Sequence, residues 1–143
     1  MDTTYTIERS AIIAADQEKI WRAITKPEHF SKWFGGDIQF DRLAVGATMT
    51  FNVGGQSGIA TIAAVEKPKR FAFYWTPELG DPTRTLVTFL LEPVAEGTRV
   101  TVTDVGYDAL PEKVRRARFE DNSKGWTIQL VNLAEFLQKT KDV

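Results

Sequence analysis

Hydrophobic positions along this chain follow two periods, one of about 3.6 residues near the ends and one of two residues through the middle. Near the C-terminus, Phe119, Trp126, Leu130, Leu133 and Leu137 recur at spacings of seven, four, three and four, which places all five on one narrow stripe of a long helix. Such a stripe must be buried against something apolar. The rest of the chain consists mostly of short β-type runs, so the expected partner is a sheet that wraps the helix and covers its inner face.

Taken in order, Thr4 to Ile13 alternates Tyr5, Ile7 and Arg9 with Thr6, Glu8 and Ser10, as expected of a first strand. Asp16 offers an N-cap to a short amphipathic helix carrying Ile20, Trp21 and Ile24. Thr25-Lys26-Pro27-Glu28 reads as a capping box with proline in the first turn, which predicts a second short helix from Pro27 to about Trp33, stopped by Gly35-Gly36. The aromatic cluster Phe30, Trp33 and Phe34 would then stand where the sheet opens, as a gate.

Turn chemistry recurs at Gly46, Gly54-Gly55, Lys67-Pro68-Lys69, Pro77 through Pro82 and Ala95-Glu96-Gly97. Between these turns Met49, Phe51 and Val53, then Phe71, Phe73 and Trp75, then Val87, Phe89 and Leu91, then Val100 and Val102 occupy alternate positions. One aromatic-rich face therefore looks inward. No helix-length segment separates the runs, so they form an antiparallel meander of about six strands. Pro111 opens a helical segment that leads into the long stripe, with or without a kink. The class is α+β.

Composition narrows the picture mainly by exclusion. A chain of 143 residues fits one domain and buries a full core unaided. With 43% hydrophobic residues, 26% charged residues and a net charge of -1, the sequence gives no support to nucleic-acid binding. The absence of cysteine excludes disulfides, thiolate nucleophiles and cysteine-ligated zinc. No run approaches the roughly 20 apolar residues of a membrane span, and Met1-Asp2-Thr3-Thr4 does not begin a leader, so the cytoplasm is the default expectation. No cofactor or metal signature is visible.

The order of elements is that of the helix-grip fold, and several stretches resemble one branch of it. Lys19 to Thr25 with Pro27-Glu28-His29 and Lys32-Trp33-Phe34 resembles the opening signature, and Pro68 to Phe71 leading to Phe73-Tyr74-Trp75 resembles the middle one. Val87 to Pro93 with Gly97 to Thr103 resembles the strand pair, and Gly125-Trp126 followed by Leu130, Leu133 and Phe136-Leu137 resembles the final helix. The family is the one named after the C-terminal domain of the activator of the heat-shock chaperone ATPase, in the START-like, birch-pollen-allergen-like SRPBCC superfamily. The resemblance implies a curved sheet of about seven strands around the long helix, with a deep apolar cavity between them that takes lipids, polyketides or flavonoid-like aromatics in various members. It also implies two other readings, a chaperone-directed protein-interaction module and a small polyketide cyclase.

On that basis Trp33, Phe51, Phe71, Phe73, Trp75, Phe89, Val102, Trp126, Leu130 and Leu133 are candidate cavity residues, and the competing reading is that they fill a core. Asp104, Asn122 and Gln129 are candidate polar handles at one end, because the strand and helix periods bring them to the inner surface. Alternatively, Asp104 caps or pairs with Arg118 or Lys124. Trp33 and Phe34 with the loop Pro77 to Pro82 would guard entry. Gly125 in mid-helix implies close backbone approach or a bend. His29, the only histidine, lacks partners at ligand spacing and is expected in solvent. Lys113, Arg115, Arg116 and Arg118 read as a solvated helix face, with an acidic partner as the minority reading. For catalysis only Glu8, Asp104 and Asp108 fall near a cavity mouth, and nothing pairs them. The expected partner is thus a small apolar ligand, with a chaperone or other protein as the alternative.

Overall fold

The computed structural model describes residues 5–76 and 84–143, without the side chains of Gln56 and Thr76. The expectation for the loop Pro77 to Pro82 lies outside the described residues. Strand β1 (Ile7–Ile13) leads to helices α1 (Gln17–Thr25) and α2 (Pro27–Phe34). Strands β2 (Gly36–Gln39), β3 (Thr48–Val53), β4 (Gln56–Glu66), β5 (Arg70–Thr76), β6 (Thr85–Val94) and β7 (Gly97–Val105) follow, then a 3-10 turn (Tyr107–Ala109) and helix α3 (Glu112–Lys139). All pairings are antiparallel in the order β1-β7-β6-β5-β4-β3-β2, so β1 reaches across to the last strand and the meander curls into a half-barrel around α3. This is the helix-grip fold.

The alternation works as expected. Met49, Phe51, Phe71, Phe73, Val87, Phe89, Leu91, Val100 and Val102 are buried on the concave face, and Trp126, Leu130, Leu133 and Leu137 of α3 are buried against them. Phe119, at the start of the stripe, is half-buried between Tyr5 and Tyr107. Helix α3 runs as one 28-residue element, so the entry after Pro111 needs no kink.

Local chemistry explains the short helices, with one correction. Asp16 caps α1 by accepting the Lys19 N–H at 2.8 Å. The expected capping box does not form: Thr25 is the last residue of α1, and its buried hydroxyl donates back to the Trp21 carbonyl at 2.6 Å. The α2 N-cap is Lys26, which makes no side-chain cap, and Pro27 at the first position sets the helical φ. A threonine inside a helix end has a carbonyl one turn back within reach, and that bond wins here. Gly35 ends α2 at φ 83°, while Gly36 already belongs to β2, where a Cβ would lie 2.6 Å from the Asn52 carbonyl oxygen.

The gate expectation for Phe30 and Trp33 is also corrected. Their rings stack at 5.0 Å, Phe30 is fully buried, and the Trp33 indole donates to the Ala23 carbonyl at 2.8 Å. Both are core residues that pin α2 to α1 and the sheet. His29 is half-buried, not in open solvent: its ring lies 6.0 Å from that of Phe136, and its buried Nδ1 has no hydrogen-bond partner.

Candidate functional site

The inner aromatics meet one another. Phe30 packs against Phe51, Phe73 and Phe89 at 6.2–6.5 Å, Phe51 reaches Phe73 and Trp75 at 5.8 and 5.7 Å, and Phe89 meets Trp126 at 5.8 Å. Edge-to-face contacts dominate, which is the favourable arrangement for ring quadrupoles. Phe71, Phe73 and Phe89 are fully buried in this cluster, as are Val102 and Leu133. Beside it a pocket of about 110 Å³ lies at the end of the cluster, lined by Phe34, Trp75, Asn122, Gly125, Trp126 and Gln129.

Beneath this pocket is a chain of hydrogen bonds, built from three elements. Strand β7 turns Val100, Val102 and Asp104 inward in succession, so its pleat delivers a carboxylate to the core with no exposed surface. Gly106, at φ 112°, then reverses the chain into the 3-10 turn, a conformation that favours glycine. That reversal folds Tyr107 back under β7, where its hydroxyl donates to Asp104 Oδ2 at 2.6 Å. Helix α3 completes the chain from the other side. Asn122 Nδ2 donates to the Tyr107 hydroxyl oxygen at 2.6 Å, and Trp126, four residues on and therefore on the same face, donates its indole N–H to Asp104 Oδ2 at 3.1 Å.

Burial pushes the Asp104 carboxyl above the usual carboxylate range, opposed by the hydroxyls of Thr85 and Tyr107 and the indole of Trp126. Thr85 acts from nearby without a hydrogen bond of good geometry, so the buried Oδ1 has no hydrogen-bond partner. The Thr85 hydroxyl instead accepts the Trp75 indole N–H at 3.1 Å. Burial, followed by the neighbouring Asp104 charge, drives the Tyr107 phenol far above its ordinary value, so this hydroxyl stays protonated.

The candidate handles are thus divided. Asp104 and Asn122 belong to one network, joined by Tyr107, whereas Gln129 stands apart and donates to the Phe34 carbonyl at 3.0 Å while accepting from Asn132 at 3.2 Å. Asp104 is bound to Tyr107 and Trp126, the partners that neither alternative for it named, and it is not a wall of the pocket. Tyr107 is the residue that sequence reasoning missed. The spacing Asp104-x-x-Tyr107 across a glycine was the available signal. Gly125 meets no neighbour within 4 Å of the place where a Cβ would stand, so close approach does not account for it. It leaves the pocket open instead.

The remaining candidates do not assemble. Glu8 and Asp108 are exposed, and neither is hydrogen-bonded to Asp104. Arg115 uses its guanidinium on the Asp108 and Leu110 carbonyls at 3.2 and 3.0 Å, capping the 3-10 turn. Among the described residues no group of histidine and carboxylates is placed to hold a metal, and no helix is long and apolar enough to cross a membrane. Chemically the network holds a protonated phenol, a shielded carboxylate and an aligned amide. That arrangement fixes the orientation of Asn122 at the pocket wall.

Comparison with solved structures agrees with the topology. The chain is similar to protein MLL2253 from Mesorhizobium loti, at 27% identity over 96% of this chain and 99% of that one, with a TM-score of 0.82. It shares its fold with DynU16, a protein of the dynemicin biosynthetic locus, at 24% identity over 95% of this chain and 48% of that one, with a TM-score of 0.81. It shares it also with the Aha1 dimer from Colwellia psychrerythraea, at 23% identity over 96% and 98% of the two chains, with a TM-score of 0.77. No curated protein matches. The family model described as Activator of Hsp90 ATPase homolog 1-like protein matches residues 14–138, and the chain belongs to that family.

Proposed function

We propose that this protein binds a small, largely apolar aromatic ligand between its sheet and its C-terminal helix. The observation that carries the reading is the pocket itself. Three aromatic side chains, Phe34, Trp75 and Trp126, and two amides, Asn122 and Gln129, surround a space that Gly125 keeps open in a helix otherwise free of glycine. A mid-helix glycine costs roughly 1 kcal/mol relative to alanine, and nothing packed against it offsets that cost.

Size restricts the ligand. A buried apolar cavity of about 150 Å³ takes one benzene, so a pocket of about 110 Å³ open to one side admits one ring, with the remainder of the molecule outside. That favours an aromatic polyketide or flavonoid-like molecule over a lipid chain. Apolar burial at roughly 25 cal/mol per Å² supplies the affinity, and the amides supply orientation. DynU16, from the dynemicin biosynthetic locus, is compatible with this ligand class, and it shows the fold alone.

Native mass spectrometry of the purified protein, followed by thermal shifts with flavonoids, polyketide-like aromatics and fatty acids, tests the reading. Aromatic ligands should raise the melting temperature in proportion to the logarithm of their concentration, as linkage requires. Stabilisation by fatty acids alone, or by nothing, would sink it.

A second reading, a protein-interaction module of the chaperone-directed kind, rests on a different surface. Ile128 and Val131 are more than half exposed on the outer side of α3, and Val131 flanks an apolar groove shared with Ala11 of β1. If that reading holds, Val131→Lys weakens a chaperone pull-down and leaves the aromatic thermal shift unchanged.

A further inference from the structure

We infer that the pocket is polarised to select a hydrogen-bond donor, a phenolic or enolic hydroxyl on the inserted ring, because the Asp104–Tyr107 pair forces the Asn122 amide oxygen to be the atom left over at its wall. The inference rests on the ligand-binding reading above and deepens it.

The count of hydrogens sets the direction of the network. Indole N–H is a donor only, so Trp126 fixes Asp104 Oδ2 as an acceptor. The Tyr107 hydroxyl has one hydrogen, and at 2.6 Å it lies on that same Oδ2. While the carboxyl is ionised neither of its oxygens carries a hydrogen, so across the 2.6 Å contact only the Tyr107 hydroxyl can donate. The direction of the chain is therefore fixed while Asp104 is ionised. With its hydrogen spent, the Tyr107 oxygen can only accept, and it does so from Asn122 at 2.6 Å. Asn122 must then present nitrogen to Tyr107, which turns its oxygen away. Asn122 lines the pocket, so that oxygen is the atom it can offer there.

Among the described lining residues none competes for this role. Gln129 retains one amide N–H, but it stands seven residues along α3, about 10 Å of helix rise from Asn122, at the opposite end of the opening. Trp75 and Trp126 have donated their only hydrogens to Thr85 and Asp104. At the Asn122 end the wall therefore accepts. A ring that brings a hydroxyl there completes the network, whereas a ring that brings only an ether or nitrile oxygen or nitrogen faces a lone pair.

The test uses phenol, anisole and benzonitrile, three single-ring probes that differ in hydrogen bonding, titrated into the 15N-labelled full chain while the indole N–H resonances of Trp75 and Trp126 are followed. Phenol should bind about tenfold tighter than either of the others, the discrimination expected when a site's polar group is left unpaired. In Asn122→Leu the three affinities should converge. Tyr107→Phe keeps the ring but releases the amide to turn over, so benzonitrile should gain while phenol loses. Equal binding of all three by the wild type overturns the polarity and leaves the aromatic-ligand reading standing, and preference for benzonitrile does the same. No indole shift with any probe removes both.

Discussion

The bond between Tyr107 and Asp104 is where a single atom tests the most. Tyr107→Phe deletes one oxygen and keeps the ring that meets Phe119 edge-on at 5.6 Å. Two bonds are lost, one to a carboxylate at 2.6 Å and one from the Asn122 amide at 2.6 Å. A hydrogen bond to a charged group is worth about 1.5–3 kcal/mol and a neutral one about 0.5–1.5 kcal/mol, so the variant should lose roughly 2–4 kcal/mol. Urea unfolding of the wild type, Tyr107→Phe, Asp104→Ala and the double variant isolates the pair. With the acceptor already gone, Tyr107→Phe should cost only the Asn122 bond, leaving a coupling of about 1.5–3 kcal/mol. The coupling should also grow with pH, since ionisation of Asp104 makes the bond charge-assisted. A coupling below about 0.5 kcal/mol at every pH is within the additivity of unconnected sites and would show that the two groups are merely adjacent.

Other consequences are separately measurable. The folded Asp104 carboxyl is raised by burial, so as pH climbs past the unfolded value of about 3.9 the unfolded chain gives up a proton that the folded chain keeps. Wild type should therefore lose stability relative to Asp104→Asn as pH rises to the folded pKa, and paired melts across that window should show it; a shift of opposite sign contradicts the assignment. Gly125→Ala should raise stability by about 0.5–1 kcal/mol while weakening aromatic binding, two effects that melting curves with and without ligand keep apart. His29 titrates below its ordinary value because burial disfavours the imidazolium, and nearby Glu28 pulls the other way. The single histidine resonance should have its midpoint under 6.5, and Glu28→Gln should lower it further; a midpoint at or above the ordinary value would mean the ring is solvated.

The framework was legible because it rests on apolar periodicity. Phe71 and Phe73, or Val87, Phe89 and Leu91, need only a period of two to reveal a buried face, and Trp126, Leu130, Leu133 and Leu137 need only a helical pitch. The same periods placed Asp104 and Asn122 inward. What they could not show was that the two are linked, because the link runs through Tyr107 in a 3-10 turn, and a hydrogen-bonded side chain there leaves no repeating trace. Thr25 failed for a related reason: a hydroxyl near a helix junction has two carbonyl or amide partners in reach, and geometry chooses between them. Phe30 and Trp33 carried the signature of a gate in composition alone, and their stacking in the core depends on how closely α2 sits on the sheet. Whether the aromatic rings would close the interior was likewise a matter of distance, not of pattern.

The pairing of β1 with β7 has a consequence for when the pocket comes into being. Ile7 and Asp104 are neighbours across strands although nearly a hundred residues separate them along the chain. Closing a loop of that length costs roughly 2 kcal/mol more entropy than closing a hairpin of about ten residues, and contacts so distant in sequence slow folding. During synthesis β1 emerges first and waits with its edge bare until β7 leaves the ribosome, and α3, which brings Asn122, Gly125 and Trp126, follows later still. The recognition surface is thus completed by the part made last, α3, against Phe34 and Trp75 made earlier. A chain interrupted before α3 has most of the sheet and only Phe34 and Trp75 of the site, so any ligand that stabilises the native state acts only on molecules that have been completed.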